Sequence, residues 1–309
     1  MSSEAAPAAR HSHGWRRIFT GPNGLRAGWR LLLFHFVAFG LASGAIYLAR
    51  SIRPNLTDGR FTVDKLIVLE AIYLVATLVA LGVMARIERR RLTDYGIPLR
   101  ELFGGPFWRG AAVGVAAIGA IALLVALAGG LSIAGLTSTG GLLAGGALWL
   151  LGALAIAVFE ELFFRGYFLS ALSDGIGFWP AAVLQALYFG FVLHYLEKDN
   201  ETLLDGLNVS LIALALCISV ARSGDIRWAA GVHWTFNFTS FFVLGSPNTA
   251  FGGPVEPHLL ASTFRGPQWL TGGATGLEAS VVATVVFALL IVVALRLRPA
   301  PDSKPVTPS

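Results

Sequence analysis

Charge is scarce in this chain. Asp, Glu, Lys and Arg make up 13% of 309 residues, whereas 55% are hydrophobic; a soluble globular chain carries about 25% charge. The shortage excludes an ordinary soluble domain and leaves a polytopic membrane protein, in line with a mean hydropathy of +0.68. Cysteine is nearly absent. The single Cys217, set in an apolar run, excludes an intrachain disulfide and a thiolate metal cluster. No stretch is basic and aromatic in the manner of a nucleic-acid site, so no nucleic-acid partner is expected. No inverted repeat of the transporter kind is present. The glycine pairs Gly129-Gly130, Gly140-Gly141 and Gly145-Gly146 match no phosphate-binding loop and are expected to let helices approach closely.

Long apolar runs are plentiful. A bilayer span needs about 20 mostly apolar residues, and eight segments qualify: 31–49, 66–85, 110–134, 142–164, 179–195, 207–221, 228–244 and 279–295. The fold expected is therefore all-α, a bundle of about eight transmembrane helices. The polar, Arg-bearing first 30 residues suit a retained first helix rather than a cleaved signal. With the N-terminus inside, 17 of the 23 Lys and Arg residues fall in inner segments and six in outer ones, which places both termini in the cytoplasm. The cluster Arg86-Ile87-Glu88-Arg89-Arg90-Arg91 is the strongest anchor and reads as a topology determinant. Residues 1–14 and 299–309 read as disordered tails around a single membrane domain, 15–298, with 245–278 as a loop outside the bilayer or re-entrant into it.

Within this apolar background a few polar residues stand out. Glu160 and Glu161 interrupt AIAVFEELFFR, and a carboxylate at membrane depth costs at least about 2.5–3.5 kcal/mol. Arg165, four residues after Glu161, shares its helix face and can pair with it. Glu160 is turned about 100° away with no local partner, and an unpaired acid beside a paired one points to chemistry rather than support. His194 ends LQALYFGFVLH; His233 and Asn237 share a face in GVHWTFNF. Each of these residues alone suits helix packing; their combination on three expected helices is what points to a site. Glu160 and His194 are equidistant from Gly177, so an antiparallel hairpin brings them to one level, although His194 then lies near the outer end of its span. Elsewhere, Glu70 reads as interfacial, His35 as a packing residue, Glu278 as a helix cap, and His11, His13 and His258 as solvated.

The motif Glu160-Glu161-x-x-x-Arg165, with His194 and with His233-x-x-x-Asn237, resembles the CPBP intramembrane proteases, which include the CAAX prenyl protease 2 type and the bacterial Abi proteins. The likeness covers about 90–295, and Trp269 to Gly273 followed by Gly276-Leu277-Glu278 resembles a late segment of that family. One departure exists: the family's second motif is FxxxH, whereas here Phe189 stands five residues before His194. The resemblance implies an intramembrane endopeptidase in a cell membrane of the bacterial inner-membrane type. Its partners are the lipid bilayer and a membrane-associated peptide or protein substrate, lipid-modified in some relatives, cleaved near the cytoplasmic face. In the implied mechanism Glu160 is the general base, His194 holds the water, His233 and Asn237 donate to the oxyanion, and Arg165 holds Glu161. Glu160, His194 and His233 also suit a catalytic Zn²⁺ with an open water position; Asn237 is a poor zinc ligand and no carboxylate behind the histidines is evident, which favours metal-independent chemistry while leaving both open. Two other readings use the same residues: a catalytically silent relative acting in bacteriocin immunity or as a scaffold, and a proton-coupled transporter.

Overall fold

A computed structural model describes residues 16–21, 24–58, 62–98, 100–138, 140–196, 201–248 and 255–298. The tails expected at 1–14 and 299–309, with His11 and His13, lie outside the described residues. The chain is mostly helical. In order come α1 (Ala27–Ile52), α2 (Val63–Glu88), α3 (Gly105–Leu127), α4 (Leu142–Glu160), α5 (Leu169–Ile176), α6 (Phe178–Leu187), α7 (Leu203–Ser223), α8 (Arg227–Phe238) and α9 (Val281–Leu295). Three wider π-type segments extend these rods: Glu161–Phe168 joins α4 to α5, Tyr188–Tyr195 prolongs α6, and Thr239–Val243 prolongs α8.

Among the described residues five rods are long and apolar enough to cross a membrane: Ala27–Ile52, Val63–Glu88, Gly105–Leu127, the continuous Leu142–Ile176, and Leu203–Ser223. Val281–Leu295 is apolar but shorter. The reason for helix is general: no water in the bilayer core satisfies backbone N–H and C=O groups, so each segment satisfies its own. The all-α expectation needs two small corrections: Thr20–Gly21 pairs antiparallel with Gly24–Leu25 before α1, and a longer ribbon follows α3. The segment expected to be helical to residue 134 stops at Leu127, because Gly129 takes φ +80° and its N–H and that of Gly130 fold back onto the carbonyls of Ala126 and Val125. Strand β1 (Leu131–Leu136) follows and pairs antiparallel with β2 (Leu260–Phe264).

The rods alternate in direction and their ends gather into two sets. At one end, Arg30 at the start of α1 pairs with Glu88 at the end of α2 and, at 2.9 Å, with Asp174 at the end of α5, which also takes Arg90 at 2.6 Å. Ile226 N–H donates to Gly96 C=O at this same end. Here lie Arg86 to Arg91, so it is termed the arginine-rich end. At the other, termed the ribbon end, β1 and β2 pair, and Asn208 on α7 donates to the carbonyls of Glu278 and Ser280 at 2.8 and 2.9 Å. Segment 255–278 thus packs onto the ribbon end.

Close helix approach is set by glycines other than the expected pairs. A Cβ on Gly110 or Gly114 of α3 would stand 2.1 Å from Trp228 O or 2.3 Å from Thr235 Oγ1, and one on Gly231 of α8 would stand 2.1 Å from Phe107 O. Backbones of α3 and α8 therefore touch, and Thr235 Oγ1 bonds Ala111 O at 2.7 Å across the contact. Of the glycine pairs singled out by sequence, Gly145 packs on Pro257 and Gly146 on Phe242, while Gly129, Gly140 and Gly141 meet nothing within 4 Å and serve the turn at the ribbon end.

Candidate active site

The middle of the long Leu142–Ile176 rod carries both acids. Glu160 ends its α-helical part and Glu161 opens the π segment, in which i→i+5 bonding widens the turn; such segments recur at functional sites. Glu161 and Arg165 stay on one face, with Arg165 Nη1 3.2 Å from Glu161 Oε1, and both side chains are buried. The Arg165 guanidinium also lies over the Phe189 ring, 4.8 Å from its centroid.

Helix α8 delivers His233. It is held against α3 by the glycine contact and against α4 by Trp234, whose indole N–H donates to Leu150 O at 3.0 Å. His233 Nδ1 lies 2.9 Å from Glu161 Oε1, and Nε2 lies 3.8 Å from Glu160 Oε2. The imidazole thus stands between the two acids with one nitrogen toward each. Because Glu161 already accepts from Arg165, the short contact is satisfied by Nδ1–H donating to the carboxylate, which turns Nε2 toward Glu160. Arg165 is therefore not the only partner of Glu161, as sequence spacing implied; the carboxylate also orients the histidine.

Asn237 and His194 lie in the wall of a cavity of about 630 Å³ that Glu160, Arg165 and His233 also line, a volume usual for ligand sites. Direct contacts join Glu160, Glu161, Arg165 and His233; His194 joins them through Phe189, its ring centroid 5.2 Å away, and its Nδ1 also lies 3.6 Å from Glu201 Oε1. The five-residue spacing from Phe189 to His194 is resolved by the π segment Tyr188–Tyr195. Its wider turn takes up the additional residue, so the two rings meet instead of diverging as they would on a regular α-helix. The equidistance of Glu160 and His194 from Gly177 agrees with the hairpin: α5 packs on α6, and both residues reach one cavity.

Several residues met in the cavity were read otherwise from sequence. Glu70 faces it from α2, one Oε2 buried without a hydrogen-bond partner among the described residues, rather than reaching an interface. Glu278 is not the cap of α9, a role filled by Ser280, whose side chain accepts from Ala283 N–H; Glu278 accepts from Asn248 Nδ2 at 3.0 Å, and both line the cavity. His258 is largely buried and bonds Val255 O at 2.8 Å instead of being solvated. His35 packs among Phe34, Phe39, Phe163 and Phe168, as expected. Lys65, bonded to Asp58 at 2.6 Å, reaches the cavity as well. The apolar surroundings of Glu70 and Lys65 were the only sequence signal of this, and it does not tell a lipid-facing side from an inward one.

The zinc alternative draws on the same side chains as the metal-free reading. Among the described residues no three His, Cys, Asp or Glu side chains gather as a metal site. Glu161 supplies the carboxylate behind a histidine that was not evident in the sequence: it engages His233 Nδ1 and leaves Nε2 facing Glu160 at 3.8 Å, an arrangement that also occurs behind metal-ligating histidines.

Residues 142–239 match the model of a family described as type II CAAX prenyl endopeptidase, Rce1-like. The matched stretch is about a third of the chain and contains Glu160, Glu161, Arg165, His194, His233 and Asn237. The match bears out the resemblance to CPBP intramembrane proteases. No curated protein and no solved structure matches the chain significantly.

Proposed function

We propose, from that likeness taken as premise, that the chain is an intramembrane endopeptidase in which Glu160 activates the water. The observation that carries the reading is the His233 imidazole set between Glu161 at 2.9 Å and Glu160 at 3.8 Å, on the wall of a cavity within the helical bundle. Of the two adjacent acids, Glu160 is the one that lines the cavity with no guanidinium partner among the described residues, which suits a general base. Water gives its proton to Glu160 as its oxygen adds to the peptide carbonyl carbon. Asn237, one turn further along α8, donates its side-chain amide to the oxyanion, and His233, in its imidazolium form with Nδ1–H fixed by Glu161, donates Nε2–H to it. His194 steadies the water from the far wall. The carbon–nitrogen bond then breaks, and the proton held at Glu160 passes to the leaving amine, giving a carboxylate and an amine.

The same reading takes the bundle as about eight spans in a single membrane domain with both termini cytoplasmic, supported by the Lys and Arg distribution and by the alternation of the rods. The substrate is a peptide segment of a membrane-associated protein, supported by a largely apolar cavity wall that includes Phe39, Leu66, Leu69 and Phe287. The test is cleavage of membrane-anchored peptide reporters by purified protein. Loss of cleavage in Glu160→Gln with the fold retained is the expected result; cleavage at the wild-type rate by that variant removes the reading.

A further inference from the structure

The cavity is not symmetric along the bundle. Its lining residues toward the arginine-rich end, among them Arg165, Leu216 and His233, come from the inner part of their rods. From there the wall runs only one way. On α2 it is formed by Lys65, Leu66, Leu69, Glu70 and Tyr73, all near the ribbon-end start of that helix, and on α7 by Val209, Ile212 and Leu216. It reaches Leu56 and Thr57 in the link between α1 and α2, and Asn248 and Glu278 beyond α8. None of its lining residues comes from the turns of the arginine-rich end, namely 89–104, 174–178 and 224–226. That end is closed by Tyr95, Tyr167, Ile226 and Trp228, all buried, and by the Arg30–Glu88–Asp174 ion pairs.

The charges of the chain distinguish the same two ends. Arg165 lies in the cavity and leaves the topological count, so among the described residues fourteen Lys and Arg stand in or beyond the arginine-rich end and four at the ribbon end. Cationic residues near span ends are retained on the cytoplasmic side. Mouth and charge therefore lie at opposite ends of one bundle.

We infer that the cavity opens on the face of the membrane away from the cytoplasm, so that its substrate is a peptide segment presented on the extracytoplasmic side next to a membrane anchor. This reverses the cytoplasmic-side cleavage that the resemblance implied. The substrate half of the inference rests on the peptidase reading; the side of access does not. An extracytoplasmic mouth selects exported or membrane-anchored chains whose scissile segment has already crossed the bilayer, and cytosolic proteins with lipid-modified ends are not presented to it.

The test uses two cysteine variants of the full chain and a membrane-impermeant sulfonated maleimide applied to intact cells. Thr57 is exposed and lines the mouth; Ile176, 46% exposed, lies at the arginine-rich end. The native Cys217 is fully buried, so the unsubstituted chain serves as the unlabelled control. Thr57→Cys is expected to react in intact cells, and Ile176→Cys only after the membrane is opened. Reaction of Ile176→Cys with protection of Thr57→Cys, or equal reaction of both in intact cells, overturns the inference. A second arm ties mouth to site: maleimide on Thr57→Cys should block cleavage of a peptide reporter in detergent, while maleimide on Ile176→Cys should not, and unchanged cleavage in the labelled Thr57→Cys protein counts against the proposed route. If no form of the protein cleaves any reporter, the peptidase reading fails, while the labelling still decides the side.

Discussion

His233 Nδ1 lies 2.9 Å from Oε1 of Glu161, a carboxylate with no exposed surface that is contributed by a different rod. That single contact ties two elements far apart in sequence, and it makes the second glutamate a positioning residue for the histidine. The first glutamate is thereby left to face the cavity.

Glu160→Gln keeps the size of the side chain and removes its ability to take a proton. General-base contributions are about 10²–10⁴-fold, so cleavage should fall by that factor. The melting temperature in detergent should stay close to that of the unsubstituted protein, because Glu160 is only half-buried and, among the described residues, its nearest charged neighbour is His233 at 3.8 Å. Reporter cleavage alongside thermal unfolding checks both halves.

Arg165→Met strands a buried carboxylate. Removing one partner of a buried ion pair costs about 3–5 kcal/mol, so Arg165→Met should unfold at markedly lower temperature. Combining it with Glu161→Gln should recover much of the stability, since the orphaned charge is gone, yet activity should remain low because His233 loses its anionic anchor. Equal stability of single and double variants would show that the pair is not coupled.

Gly114→Ala places a methyl group where Thr235 Oγ1 and Val232 O stand 2.3 and 2.4 Å away. Overpacking costs about 1–3 kcal/mol, and here it also displaces α8, which bears His233 and Asn237. Cleavage should fall together with stability. Gly119→Ala, on the same helix with nothing within 4 Å, should be neutral or slightly stabilising by up to about 1 kcal/mol. The contrast separates helix approach from helix propensity.

Chelation supplies the test of the metal alternative. Cleavage by the purified protein should survive prolonged treatment with EDTA or 1,10-phenanthroline. A loss restored by added Zn²⁺ would make Glu160, His194 and His233 ligands and remove the general-base role proposed for Glu160.

Much of this protein is determined by sequence alone, because the controlling physics is local. Apolar runs of span length form helices since the bilayer offers no other partner for the backbone, and the Glu161–Arg165 pairing follows from residues four apart on one rod. The polar residues of the site stand out against their surroundings for the same reason. Tertiary structure decided what depends on contacts between rods. The glycines of α3 and α8 bring two backbones together and so place His233 between the acids, a relation that no spacing along the chain encodes. A π turn absorbs the additional residue between Phe189 and His194, because hydrogen bonds to the fifth residue can replace those to the fourth at small cost once neighbouring rods hold the segment. Glu70, Lys65 and Glu278 turn inward for a similar reason: which face of an apolar helix meets a cavity and which meets lipid is set by the packing of its neighbours, and a helix that is apolar all round carries no periodic signal to tell them apart.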